Sequence, residues 1–338
     1  MNTATTAATT AARSRPDGRL LRGAGGIVAV AVLAAILVPA LGTNYIVTFC
    51  FQFVVWMTLA LSWNVFSGNA GYPSFGHGVF FGVGIYAAAA VLRHTDAPFL
   101  VAALVAGLAA GALALVVGLA VFASPRFKGD LFGLVTLALA FVVTTVVSNV
   151  AFLDGGAGVF VRDQVAGTWI GGGIGHVFVV GVVVAAITAL VALATSRSRW
   201  GTALCSIRDE EAVAESLGVP TYRYKVLTFA VSGALGGLIG APQAIYLGYV
   251  EIGAVFALSI PLYVIMMTIL GGATRWWGPA IGAAAIVALR EGLLGIGSPE
   301  MSQIVIGLFL VVVIAVLPQG ISGLLDRLRP RPSREVSR

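Results

Sequence analysis

Formal charge is what this chain has least of. Only 10% of its 338 residues are Asp, Glu, Lys or Arg, against about 25% in a soluble globular domain. Lys128 and Lys225 are the only lysines beside 18 arginines, a bias that reads as base composition rather than mechanism. The two cysteines, Cys50 and Cys205, lie far apart and form no C-x-x-C, so neither a disulfide framework nor a metal site is indicated. His77, His94 and His176 are scattered, with no H-E-x-x-H and no ligand spacing. There is no G-x(4)-G-K-[ST], so the chain has no P-loop to cradle ATP phosphates. No nucleophile–base arrangement is legible either. Gly82-x-Gly84-x-x-Ala87 imitates a dinucleotide fingerprint, but it lies inside an apolar run with no strand before it, so it reads as helix packing.

What is present is apolar: 59% of residues are hydrophobic, and the mean hydropathy is +0.98. No charge occurs between Arg22 and Arg93, and further charge-free runs cover 97–125, 131–153, 164–196, 226–250, 252–274, 276–289 and 301–325. A spanning helix needs roughly 20 apolar residues. In lipid the backbone must satisfy its own hydrogen bonds within the segment, so these runs are expected as helices. The alternation of a β-barrel is missing. The expected fold is therefore an all-α integral membrane protein, a bundle of about ten transmembrane helices. Spans fall at about 26–42, 45–66, 72–92, 98–122, 131–152, 175–195, 226–246, 255–272, 277–295 and 302–318. An even number of spans puts both termini on one side. With that side inside, 17 of the 20 Lys and Arg residues are cytoplasmic, and only Arg93, Arg162 and Arg290 are not, as the positive-inside rule requires. The net charge of +6 thus serves orientation, and no nucleic-acid partner is implied.

Three regions follow: a disordered basic cytoplasmic N-terminus over 1–25, a transmembrane domain over 26–318, and a basic cytoplasmic tail over 319–338. The apolar run after the basic N-terminus imitates a signal peptide, but lacks a clear A-x-A site and reads as an uncleaved first span. The longest inside loop, 196–225, carries a helix signature. Ser206 and Asp209 form a capping box, Asp209, Glu210 and Glu211 favour a helix N-terminus, Gly218 suits the position after its C-cap, and Pro220 ends it. Ile207, Val213, Ala214 and Leu217 fall on one face. Such a surface helix is either a solvated loop element or a docking site for a cytoplasmic partner.

Glycine supplies the second signal. Gly78/Gly82, Gly107/Gly111, Gly236/Gly240 and Gly278/Gly282 have the G-x-x-x-G spacing that lets helix backbones approach closely in lipid, and Gly84 extends the first pair. Ionisable residues at membrane depth are few, and they are functional candidates by default. Arg290 and Glu291 lie near the outer end of the ninth span, where they read as a self-neutralising pair. Glu251 sits in an outer loop. No chain of buried carboxylates suggests a proton relay.

Three stretches carry a family resemblance. "SGNAGYPSFGHGVFFGVGIYAAA" (67–89), "FKGDLFGLVTLALA" (127–140) and "WGTALCSIRDEEAVAESLGVPTYRYKVLTFAVSGALGGLIGA" (200–241) resemble the LivM-like permease subunits of branched-chain amino acid ABC importers. The third is the most specific. The likeness extends over about 45–318, with departures. Leu131 stands where Tyr is usual, Ser206 and Gly236 each replace Ala, and "GGATRWWGP" (271–279) has Thr274 and Arg275 at the usual Gly-Thr.

The resemblance implies a transporter subunit that is not itself an enzyme and has no cofactor of its own, ATP being bound by a partner. The implied partners are a second homologous permease, two cytoplasmic ABC ATPase subunits, an extracytoplasmic binding protein and the lipid bilayer of the cell membrane. Residues 207–217 then become an ATPase-coupling helix, with Arg208, Asp209, Glu210, Glu211 and Glu215 contacting the ATPase and Gly218 closing it. Asn69, Ser74, His77 and Thr136 are candidates for the substrate path, although Ser74 and Thr136 better suit hydrogen bonds to their own helix or a neighbour and His77 suits a structural one. The substrate stays open among branched-chain amino acids, urea, short amides and small aromatic acids. An ion-coupled secondary transporter is the alternative mechanism, disfavoured by the scarcity of buried carboxylates.

Overall fold

A computed structural model describes residues 18–124, 127, 129–161, 173–293, 304–309 and 320–323. Twelve α-helices are named here in chain order: α1 (Gly18–Leu41), α2 (Asn44–Trp63), α3 (His77–His94), α4 (Phe99–Phe122), α5 (Asp130–Asn149), α6 (Ile174–Ser196), α7 (Arg199–Ser216), α8 (Thr221–Leu238), α9 (Gly240–Leu247), α10 (Ile252–Val255), α11 (Ser259–Gly271) and α12 (Gly278–Leu293). A π-helical turn, Asn64–Gly68, extends α2. The one departure from an all-α fold among the described residues is a pair of two-residue strands, β1 (Val159–Phe160) and β2 (Tyr249–Val250), which are antiparallel.

Seven helical runs among the described residues are long and apolar enough to cross a bilayer: Leu20–Leu41, Asn44–Gly68, Phe99–Phe122, Asp130–Asn149, Ile174–Ser196, Thr221–Leu247 and Ile252–Gly271. They match seven of the ten expected spans. Two others form helices that fall short. α3 carries His77, Arg93 and His94 among its 18 residues, and α12 is 16 residues long. α3 is nonetheless largely buried, and a helix enclosed by others does not need a lipid-facing composition. Only 304–309 of the expected tenth span is described, and it is helical. Most of the expected N-terminal region and tail lie outside the described residues. α1 begins at Gly18, well before the expected start at 26, because nothing in Gly18–Gly26 breaks a helix entering an apolar run.

The core is built on close backbone approach. Ala106, Ala110 and Ala114 are fully buried on one face of α4, where Ala110 and Ala114 meet Gly233 and Gly237 of α8. On the same pair of helices a Cβ at Gly111 would come within 2.9 Å of the Ala234 side chain. A Cβ at Gly78 would meet Pro261 at 2.8 Å, one at Gly240 the Ile85 amide at 2.6 Å, and one at Gly236 the His77 ring at 3.2 Å. Gly82 abuts the Phe256 ring, Gly84 the Gly237 carbonyl, Gly278 the Gly272 carbonyl and Gly282 the Met267 carbonyl, all closer than a side chain could tolerate. The glycines of three of the four G-x-x-x-G pairs thus sit against neighbouring helices or loops rather than open space, and the fourth, on α4, lines the α8 seam.

Gly84→Ala should lower stability by about 1–3 kcal/mol, the usual cost of overpacking a tight contact. Gly25→Ala, where a Cβ would meet nothing within 4 Å, should not. Thermal unfolding of the detergent-solubilised protein compares the two.

Candidate functional site

The segment between α2 and α3 is irregular, and polar contacts from several helices converge on it. The expected third span, 72–92, instead starts at His77. Pro73, expected in the first helical turn, precedes it by four residues. The backbone of 69–76 is held from several sides. Trp63 Nε1 donates to the Ser74 carbonyl at 2.8 Å, the Phe75 amide to Thr136 Oγ1 at 3.1 Å, and the Ser74 amide to Ser67 Oγ at 3.4 Å. Gly71 has φ +75°, which favours glycine, and a Cβ there would collide with the Arg208 side chain at 2.5 Å. Gly76 packs against the Thr136 carbonyl. This turn therefore touches α2, α5 and α7 at once.

Each of the four path candidates has a place in it. Asn69 Nδ2 donates to the carbonyls of Asn64 and Val65, at 2.9 and 3.1 Å, and so secures the π turn. Thr136 is fully buried; besides accepting from Phe75, it donates to the Gly133 carbonyl at 2.9 Å. Ser74 is buried, and its Oγ has no partner among the described residues. His77 is buried, with Nε2 2.8 Å from Ser62 Oγ. Ser62 places its single hydroxyl proton on the Leu59 carbonyl at 2.9 Å. His77 Nε2 is then the donor to Ser62, which assigns the tautomer from the network.

Below the turn lies a buried ion pair. Glu211 on α7 binds Lys225 on α8, with side chains 9% and 7% exposed. The Tyr72 hydroxyl donates to the other oxygen of the same carboxylate. The Lys225 ammonium also sits over the rings of Tyr72 and Phe122, 5.2 and 5.3 Å from their centroids, an arrangement that supplies cation–π attraction to a desolvated charge. Phe66, Phe122, Phe132 and Phe229 pack around Tyr72 and each other, with centroids 5.0–6.4 Å apart. Burial, and then the bond to Glu211, push the Tyr72 hydroxyl well above the usual phenol range.

The surface helix differs from its expected form. α7 starts at Arg199, so Ser206 lies inside it and donates to the Ala203 carbonyl at 2.8 Å instead of capping. The break comes at Glu210 (φ −161°, ψ 103°), which divides the element into 199–209 and 211–216. The acidic run that looked like a helix start marks this kink. Gly218 does close the helix, with φ +85° and amides at 218 and 219 bonding back to Glu215 and Ala214. Arg208, Asp209, Glu210 and Glu215 are exposed, Arg208 pairing with Asp209 at 3.3 Å and Glu215 accepting from Thr221 at 2.6 Å. Glu211, grouped with them from sequence, faces inward because Lys225 lies beneath it. Ile207 and Ala214 are buried, while Val213 and Leu217, expected on the same face, are 53% and 79% exposed.

A family profile described as "Branched-chain amino acid transport system / permease component" matches residues 45–314. The chain belongs to this family. The chain is similar to the high-affinity branched-chain amino acid transport system permease protein LivM of Escherichia coli (strain K12), 25% identical over 82% of this chain and 69% of that one. Its likeness to LivM of Salmonella typhimurium (strain LT2) has the same coverage, at 24% identity. No solved structure matches. The matched region includes the turn, the ion pair and α7. In this permease, Tyr72 and Lys225 are what sequence reasoning missed. Lysine scarcity was the available signal: Lys225 is one of only two lysines in the chain and lies at the start of an apolar helix.

Lys225→Met should cost about 3–5 kcal/mol by leaving a buried carboxylate without its lysine, and Lys225→Met with Glu211→Gln should recover most of that. Unfolding of the purified permease in detergent checks both.

Proposed function

We propose that this chain is the membrane-spanning subunit of an ATP-driven importer for branched-chain or related amino acids. A second homologous permease completes the path, two cytoplasmic ATPase subunits bind and hydrolyse the ATP, and an extracytoplasmic binding protein delivers the substrate. The bundle crosses the cell membrane about ten times, with both termini cytoplasmic, the orientation favoured by the distribution of arginine. The family match carries the transport reading. The geometry of α7 supports the coupling reading.

In this reading the outer face of α7 is the docking surface for an ATPase. Asp209, Glu210 and Glu215 offer charge there, and Val213 and Leu217 offer apolar area that the described residues leave exposed. The kink at Glu210 lets the residues before and after it present different faces. A push on this helix reaches the 69–76 turn by two rigid contacts, Arg208 against Gly71 and Glu211 to Tyr72. Asn69, Ser74, His77 and Thr136 then act as the fixings of a turn that moves as a body.

Val213→Asp with Leu217→Asp should leave the permease in the membrane but cut uptake by about tenfold or more, as expected when apolar anchors worth upwards of ~1.4 kcal/mol are lost from an interface. Accumulation of labelled leucine in cells with the assembled transporter, beside an immunoblot of the membrane fraction, tests this. Undiminished uptake would overturn the docking assignment.

A further inference from the structure

A cavity of about 300 Å³ opens among α2, α3, α9, α10, α11 and α12. This volume is at the small end of the range for ligand pockets, about 300–1,000 Å³. Its polar lining comes from Gln52, Gln243, Ser259 and Arg290, and Trp56 and Ile260 contribute apolar wall. None of the four path candidates chosen from sequence lines it. The cavity lies toward the end of the bundle where the Tyr45 hydroxyl at the start of α2 donates to Glu291 at the end of α12. In the orientation proposed above, that end faces outward.

Two groups in this cavity have chemistry that the fold does not use. The Gln243 side chain is buried, at 8% exposed, yet its Oε1 has no hydrogen-bond partner among the described residues. Buried acceptors are nearly always partnered, so one that is not calls for an explanation. Arg290 is the second. The sequence pairs it with Glu291, but adjacent helical residues point apart, and Glu291 takes the Tyr45 hydroxyl while Arg290, an exposed residue, lines the cavity. Among the described residues no carboxylate forms an ion pair with Arg290. A guanidinium is a planar fork that matches a carboxylate with two parallel hydrogen bonds. An amide oxygen is an acceptor, the complement of an ammonium.

We propose that this cavity is the permease's own binding site for a small zwitterion: Arg290 holds the carboxylate, Gln243 Oε1 accepts from the ammonium, and Trp56 and Ile260 cover an apolar side chain. The assignment rests on the import reading above and narrows the substrate class. Urea and short amides bring no carboxylate to Arg290, and simple aromatic acids bring no ammonium to Gln243. The path candidates of the 69–76 turn then act from beyond the site rather than in it.

The test uses the complete transporter in proteoliposomes, with Cys50→Ala and Cys205→Ala removing the native thiols and Ser259→Cys reporting on the cavity. A membrane-impermeant methanethiosulfonate is applied from the binding-protein side. Leucine should slow modification several-fold, and isovaleramide, which lacks both charged groups, should not. Arg290→Gln or Gln243→Met should abolish the protection, and Arg290→Lys should keep part of it. Equal protection by isovaleramide, protection that survives Arg290→Gln, or a thiol that never reacts would each overturn the site. Failure of the import reading would be seen separately, as absence of ATP-dependent leucine accumulation by the transporter with Arg290 and Gln243 intact.

Discussion

Glu211 and Lys225 are two opposite charges in a chain that has almost none to spare, and they are buried together. Taking an ion pair out of water costs several kcal/mol per ion, and mutual attraction recovers this only where geometry and further hydrogen bonds are good. Here the carboxylate also receives the Tyr72 hydroxyl, and the ammonium lies against two aromatic faces. Apolar residues of similar volume often replace such a pair without loss of stability. What the pair adds is direction: it bonds one surface helix, one long helix and one turn to each other in a single register.

That register depends on how closely the rest of the bundle packs. α8, which carries Lys225 at its start, lies against α4 through alanine and glycine alone over much of their contact, so the two backbones behave as one body. α3 is held to α8 and α9 through Gly84 and Gly240 in the same way. Lipid provides no hydrophobic drive between helices, so such contact has to come from dispersion and from small residues. The 69–76 turn is the part not built on this plan. Three of its backbone groups, the Ser74 carbonyl and the Ser74 and Phe75 amides, are bonded by Trp63, Ser67 and Thr136, the kind of satisfaction that irregular backbone enclosed by protein requires.

Much of the fold was legible because lipid imposes simple rules. Charge-free length located seven of the described spans, five of them to within about three residues at both ends, and G-x-x-x-G spacing marked where backbones meet. The same rules misplaced the start of α3, since hydropathy cannot tell a buried irregular turn from the first turn of a helix. In α7, Ser206 and Asp209 have the spacing of a capping box, but Arg199 starts the helix seven residues earlier and removes the need for a cap. Glu211 was grouped with its exposed neighbours because its partners, Tyr72 and Lys225, are 139 and 14 residues away, and no local pattern records such a meeting. The pairing expected of Arg290 failed for the opposite reason. Its sequence neighbour looked like a partner, and helical geometry sends the two side chains elsewhere.

The proposed coupling makes α7 the receiver of ATPase motion and the Tyr72–Glu211–Lys225 contact its transmission to the turn and α8. A contact between two places becomes a coupling element only when altering it changes how one responds to the other. The most direct measurement is the ratio of leucine transported to ATP hydrolysed by the complete transporter carrying Glu211→Gln and Lys225→Met together, a pair of changes that leaves no lone buried charge. The account predicts that hydrolysis continues while leucine carried per ATP falls several-fold. An unchanged ratio in a fully assembled transporter would contradict it.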